Sequence, residues 1–412
     1  MNYSNSPSDT TILHDLASRY AQVSAQEVQQ ERRELWRRHN SLELTRPLIY
    51  MRGGAAWREI PDVVEQRCAD PLFRSVERDL RYRLYWASLN DDSIFEPWLA
   101  VRPVFSCVGW GVVGERHYST QAPGSYKIDY PLKDLDADLD KLRIPTHAID
   151  EAATSEKFER ISDAIADVLP VVVDRGPHFR MWNGDLSTLL GNLRGIENFM
   201  IDVTDNPSGL HRLMGRLSQA VLAVHDQAQD RGHWSTLAHE NQAMPYAQEL
   251  DDPSSDAGPI SRGRLWGYQA SQEFTLVSPA MHEEFLLQYQ LPILNKFGLV
   301  AYGCCEDLTQ KITMLRQIRN LRRIAVSPMA NARKCIEQIG KDYVISWRPS
   351  PAEMVCVGFD PQRVRRLTRE TLQLARGLHI DITLKDVETV QNDPRRLAEW
   401  TRITREVIEE TA

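Results

Sequence analysis

The chain has 412 residues, 42% of them hydrophobic, and a formal net charge of -8. That size and apolar content exclude global disorder and allow one large α/β domain or several smaller ones. The acidic balance argues against a nucleic-acid surface, which needs a basic stripe, and no apolar run approaches the roughly 18 residues of a membrane-spanning helix.

Residues 1–10 are small and polar and read as a disordered tail. Residues 11–45 form an N-terminal helical extension, with a helix expected over 12–36, and residues 46–412 form the main domain. Residues 47–52 are a short apolar run that ends in Arg52 and two glycines, the pattern of a first core strand breaking into a loop. Further strands are expected at 94–101, 169–173, 235–239, 274–277, 299–304, 323–327, 343–346 and 380–384. Helical spacing of apolar residues, started by Asp, Ser or Pro, marks 197–227, 279–296, 308–319 and 361–376. The turn-rich stretch 104–130 reads as a hairpin insertion after strand two, and Trp400 packs the last helix onto the domain.

Alternating strands and helices over most of the chain predict a mostly parallel sheet. Without a Gly-rich dinucleotide loop they favour a (β/α)8 TIM barrel over a doubly wound sheet, with one strand candidate in excess. The active site of such a barrel lies at the C-terminal ends of its strands. The most telling strand end is Leu-Val-Ala-Tyr-Gly-Cys-Cys-Glu at 299–306, where an apolar run stops in two thiols and a carboxylate. Adjacent side chains on a strand point to opposite faces, so both thiols share one pocket only if the chain bends there. A Cys-Cys pair also serves as small apolar filler.

A metal reading gathers His239, Cys304, Cys305 and Glu306, because zinc accepts sulfur, nitrogen and oxygen donors and a catalytic site needs three protein ligands. A metal-free reading uses Glu306, Lys385, Asp386 and Glu240 as acid and base, since crowded carboxylates and a desolvated lysine shift one another's pKa. Arg52, Asp92, Asn241, Gln272, Tyr302 and Arg348 are the candidates for holding a substrate. The structural alternatives are a hydrogen-bonded core histidine at 239 and an ion pair from Glu306 to Lys385 or Arg348. Tryptophans such as Trp57, Trp86 and Trp182 can line a pocket for a flat or alkylated ligand, or pack. The six cysteines are too sparse for a disulfide scaffold and, with no basic start leading into an apolar leader, suggest a reducing cytoplasm.

Several motifs over residues 45–410 resemble the uroporphyrinogen decarboxylase superfamily, which includes zinc-dependent methylcobamide methyltransferases and the cobalamin-independent methionine synthase catalytic domain. The likeness rests on the opening strand that ends Met51-Arg52, Asp92 near the second strand, Ser278-Pro279 with Glu283-Glu284-Phe285, and Tyr302-Gly303-Cys304-Cys305-Glu306. The last of these sits where the methyltransferase branch carries His-x-Cys-Gly. The resemblance implies a zinc-bound Cys304, metal-assisted methyl transfer to or from a small polar substrate, a corrinoid carried by a separate protein, and a homodimer. Tyr302 replaces the branch's histidine, and Lys385-Asp386 stands where its late cysteine would fall. The decarboxylase branch's second arginine is also replaced, by Gly53-Gly54-Ala55-Ala56-Trp57. The chain therefore resembles a divergent subfamily, with metal-free decarboxylation of a carboxylated substrate, or binding without catalysis, as alternative readings.

Overall fold

Apolar runs bounded by turns become strands because alternate residues can be buried on both faces of a covered parallel sheet. The computed structural model describes residues 8–118, 126–256 and 258–411. In chain order the strands are β1 (Leu48–Met51), β2 (Leu99–Val101), β3 (Glu115–Tyr118), β4 (Tyr126–Asp129), β5 (Val171–Val173), β6 (Trp266–Gln269), β7 (Leu299–Tyr302), β8 (Leu321–Val326), β9 (Val344–Trp347) and β10 (Ile380–Leu384). Six form one parallel sheet in the order β1-β10-β9-β8-β7-β6, and β2 pairs in parallel with β5. The strands β3 and β4 form an exposed antiparallel hairpin. It falls where an insertion after strand two was expected, and residues 119–125 between the two strands lie outside the described residues.

Among the described residues no ladder joins β1 to β2 or β5 to β6, so the sheet is not closed by backbone pairing. Irregular chain segments bond to both edge strands of the six-stranded sheet. Asp92 N–H donates to Ile49 O at 2.8 Å beside β1, and Glu240 N–H donates to Trp266 O at 3.0 Å beside β6. The strand expected at 94–101 shrinks to Leu99–Val101 because Pro97 lacks the N–H that a ladder needs.

Two other expected strands are absent. Residues 236–238 form a 3-10 turn behind Ser235, and 272–274 form another, while β6 lies between them. Gly267 hides β6 from a β-propensity reading. It is needed because a Cβ there would stand 2.5 Å from the Phe297 ring.

The N-terminal extension is two helices, α1 (Asp9–Ser24) and α2 (Glu27–Asn40). Ser8 caps α1 by accepting from Thr11 N–H, so the expected tail of 1–10 ends earlier, and residues 1–7 lie outside the described residues. The long helix expected over 197–227 splits at Asn206-Pro207, where Pro207 opens a new helix to Asp230 and Asn206 caps it. Among the described residues no helix is long and apolar enough to cross a membrane.

The end of α2 packs against the N-terminal side of the six-stranded sheet. Arg323 of β8 donates to Asp381 of β10 at 2.8 Å and to the Asn40 side-chain oxygen at 2.9 Å. Asp381 is fully buried, also accepts from Ser346 and Thr383, and lies 3.4 Å from the His39 ring. Burial pushes the Asp381 carboxyl up, but the Arg323 charge and the His39 contact more than offset it and hold the group below the usual carboxylate range. A depressed carboxyl contributes stability above its unfolded pKa and loses it as pH falls through the lower folded value. Removing it leaves Arg323 buried without its counter-ion. Asp381→Ala should therefore cost about 3–5 kcal/mol near neutral pH in urea unfolding, with the difference from the parent protein shrinking in acid.

Candidate active site

The strand β7 ends at Tyr302, and Gly303 follows with φ +94°, a conformation that side chains rarely adopt. A Cβ at this glycine would also lie 2.8 Å from Leu308. The bend breaks strand alternation and brings the Cys304 and Cys305 sulfurs within 3.4 Å of each other. Both cysteines are free thiols, Cys304 buried at 3% exposure and Cys305 half-buried.

Glu306 holds the bend from below. Its Oε2 accepts from Cys304 N–H at 2.7 Å, and its Oε1 accepts from Ser271 N–H at 2.7 Å and Ser271 Oγ at 3.0 Å. Its main-chain oxygen accepts from Ser327 Oγ at 2.8 Å. Glu306 thus faces the loops after β6, β7 and β8 with both carboxylate oxygens occupied, a positioning role in place of the acid-base or metal role expected from sequence.

From the end of β10, Lys385 Nζ donates to Cys304 Sγ at 2.8 Å and Cys305 Sγ at 3.2 Å, and lies 2.9 Å from Asp386 Oδ2. Cys305 Sγ lies 3.2 Å from the same Asp386 oxygen. Asp386 itself has φ +56°, the left-handed region that aspartate tolerates better than most side chains. Arg348 Nη1 donates to Cys304 O at 2.6 Å, while its buried Nε has no hydrogen-bond partner among the described residues. The hydrogen bond from Cys305 draws the Cys304 thiol well below the ordinary thiol range; burial opposes this, and the Arg348 and Lys385 charges support it. Cys305 moves the other way, because it supplies that hydrogen bond and is itself desolvated. The two sulfurs behave as one pair sharing a proton, with the negative charge on Cys304.

The expected zinc set does not assemble. His239 is buried with one ring nitrogen 2.9 Å from Asp251 O and the other facing Trp266 N–H at 3.2 Å, so both are occupied away from the thiols. Among the described residues only Glu115, His117 and Asp129 bring three candidate ligand atoms together, and they are exposed on the hairpin. At the thiols themselves the Lys385 ammonium lies where an ion would reach both sulfurs. These donors as arranged do not fit zinc.

Several other expectations change. Tyr302 donates to Gln290 at 2.8 Å and meets the His282 ring at 2.9 Å, so it faces the helical layer and not a pocket. Asp92 is buried against Arg46 at 2.7 Å, accepts from Ile49 N–H and is a structural ion pair. Asn241 spends its amide on a local turn, accepting from Ala243 N–H and donating to Met244 O. Gln272 is half-buried in the 3-10 turn after Ser271. Arg52 reaches the rim, where its Nη1 donates to Gln242 at 3.3 Å and its charge acts on Asp386. Glu240 is buried away from the lysine, accepting from Met181 N–H at 3.1 Å, and burial pushes its carboxyl up to about 7 against the pull of Arg180.

Sequence reasoning missed Gln242 and Tyr268. Gln242 Nε2 donates to the Tyr268 hydroxyl and to Gly303 O at 3.3 Å, and Tyr268 packs with Cys304 and stacks edge-on with Trp182 at 5.1 Å. Tyr268 lies on β6, so the misplaced strand concealed it.

No protein-family model and no curated protein matches the sequence. Among solved structures, a methyltransferase from Methanosarcina mazei is similar in fold, with a TM-score of 0.51 at 12% identity over 92% of this chain and 97% of that one.

The shared proton yields a measurable titration. Because the Cys304 thiol is held low by Cys305, Arg348 and Lys385, its thiolate should persist below the ordinary thiol pKa of about 8.5 and vanish only in acid. The ultraviolet thiolate absorbance of the parent protein, less that of Cys304→Ser, should show this low inflection, and Lys385→Met should raise it. An inflection at or above the ordinary value in the parent protein would contradict the arrangement.

Proposed function

We propose that this chain is a methyltransferase with a (β/α)8 barrel whose ring carries two seams, acting through the Cys304-Cys305 pair at the C-terminal ends of its strands. The observation that carries the reading is the Lys385 ammonium within hydrogen-bonding reach of both sulfurs, which stabilises a thiolate without a metal ion. The fold likeness to a methyltransferase supports the reaction class.

Burial assigns the two sulfurs different work. Cys304 is 3% exposed and holds the charge, so it is the base; Cys305 is half-buried and is the nucleophile. In the first half-reaction the Cys305 sulfur attacks the methyl carbon of an onium donor, a sulfonium or quaternary ammonium. The new C–S bond forms as the methyl–heteroatom bond breaks, and its electron pair leaves on the now neutral heteroatom. The Cys305 proton passes to the Cys304 sulfur 3.4 Å away. In the second half-reaction an acceptor nucleophile takes the methyl group, the C–S electron pair returns to Cys305, and the proton returns from Cys304.

Lys385 and Arg348 hold the negative charge on the pair whenever the methyl group is absent. Asp386, more than half exposed beside Cys305, supplies a carboxylate at the mouth that suits a cationic donor. Tyr268 keeps its phenol proton, since burial and the neighbouring Cys304 push its pKa far up.

Trimethylsulfonium with deuterated methyl groups is a direct probe. Mass spectrometry of the incubated protein should find one labelled methyl group on the peptide carrying Cys305, and Cys305→Ala should abolish it. Cys304→Ser should slow labelling at neutral pH by roughly the 10²–10⁴-fold of a lost general base. Label that persists in Cys305→Ala would refute the assignment.

A further inference from the structure

A second cluster at the C-terminal ends of β2 and β5 takes no part in the thiol chemistry. Arg102 follows β2, Asp174 follows β5, and Arg180 lies on the next loop. Both arginines bind the same carboxylate oxygen, Arg102 at 3.2 Å and Arg180 more closely. The second Arg102 nitrogen donates to Pro177 O at 3.2 Å.

Glu240 stands beneath them, 2% exposed, with its Oε1 lacking any hydrogen-bond partner among the described residues. A buried carboxyl oxygen left unpaired is costly and uncommon in a folded protein. When Glu240 carries its proton, two guanidiniums face one carboxylate, a surplus of one positive charge. The depressed Arg102 pKa, caused by burial and then by the Arg180 charge, reflects the same crowding.

Arg102 and Arg180 border a cavity of about 580 Å³, lined also by Phe105, His178 and Trp182. That volume lies within the range of small-molecule sites. Its aromatic walls suit a flat or alkylated body, and its paired guanidiniums suit a planar carboxylate. Trp182 also packs against the cluster containing Cys304 and Cys305 and against the Tyr268 ring, so one wall serves both places.

We infer that this cavity binds the carboxylate group of an organic ligand, gripped by Arg102 and Arg180, with buried Glu240 setting the local charge behind them. The inference deepens the methyltransferase reading, on which it rests for the idea that the rest of the ligand runs past Trp182 toward the thiols. It makes the methyl-bearing onium a zwitterion that also carries a carboxylate.

Equilibrium binding needs no turnover and separates the two readings. Benzoate should bind the parent protein in calorimetry and quench tryptophan fluorescence, benzamide should bind at least about tenfold more weakly, and inorganic phosphate should not compete better than benzoate. Arg102→Gln, at a side chain that is 40% exposed and tolerant of change, should weaken benzoate by a similar factor with an unchanged melting temperature. Cys305→Ala should bind benzoate as the parent does, so loss of methyl labelling there leaves this site standing. Equal affinity for benzoate and benzamide, tighter binding of phosphate, or indifference to Arg102→Gln would overturn the proposal.

Discussion

A single buried carboxylate organises the end of the sheet where the candidate site lies. Glu306 accepts from the backbone of Cys304 and from the backbone and hydroxyl of Ser271, and its own carbonyl is held by Ser327. Three strand ends therefore converge on one residue that is 1% exposed, two of them on its carboxylate. Each buried donor left without its acceptor would cost about 1–3 kcal/mol, so the loop after β7 has little freedom to relax. The bend at Gly303 fixes the direction of the chain, and Glu306 fixes its position. Together they let two neighbouring thiols meet on one side.

Charge is handled in opposite ways at the two ends of the strands. At the N-terminal end, Arg323, Asp381, His39 and Asn40 form a closed set in which the buried guanidinium meets a buried carboxylate and α2 covers them. Such a network supports one arrangement of the extension on the sheet and leaves no donor for a ligand. At the C-terminal end, by contrast, Arg348 has an unpartnered nitrogen, Glu240 an unpartnered oxygen, and Arg102 and Arg180 compete for one aspartate. These unpartnered atoms of Arg348 and Glu240 lie at the strand ends where parallel α/β folds place their sites.

The legible part of the site was the strand-end chemistry. A β-branched run stopping in Gly-Cys-Cys-Glu marked the place, and Lys385, Asp386, Arg348 and Arg52 came with it because they follow strands β10, β9 and β1. The roles were less legible. His239 and Tyr302 are next to strand ends in sequence, but Asp251 and Trp266 occupy one, and the helical layer occupies the other. Asp92 carries a charge that reads as functional until Arg46 is seen beside it. Gln242, Tyr268 and Arg180 gave no local signal, since a turn, a glycine-containing strand and an irregular loop carry them.

The sequence by itself determined the alternation of parallel strands and helices, the N-terminal extension, the hairpin, and the position of the two thiols. These follow from periodicity, capping and the conformational range of glycine and proline, all of which are local. Tertiary structure alone decided that the sheet leaves two seams, that both sulfurs face one lysine, that Glu306 is a brace, and that a second cationic cavity shares the Trp182 wall. Each depends on which groups distant in the chain satisfy one another's hydrogen bonds and charges, as Lys385 does for Cys304 across 81 positions. A protein interior settles that pairing only when every buried donor and acceptor is counted at once.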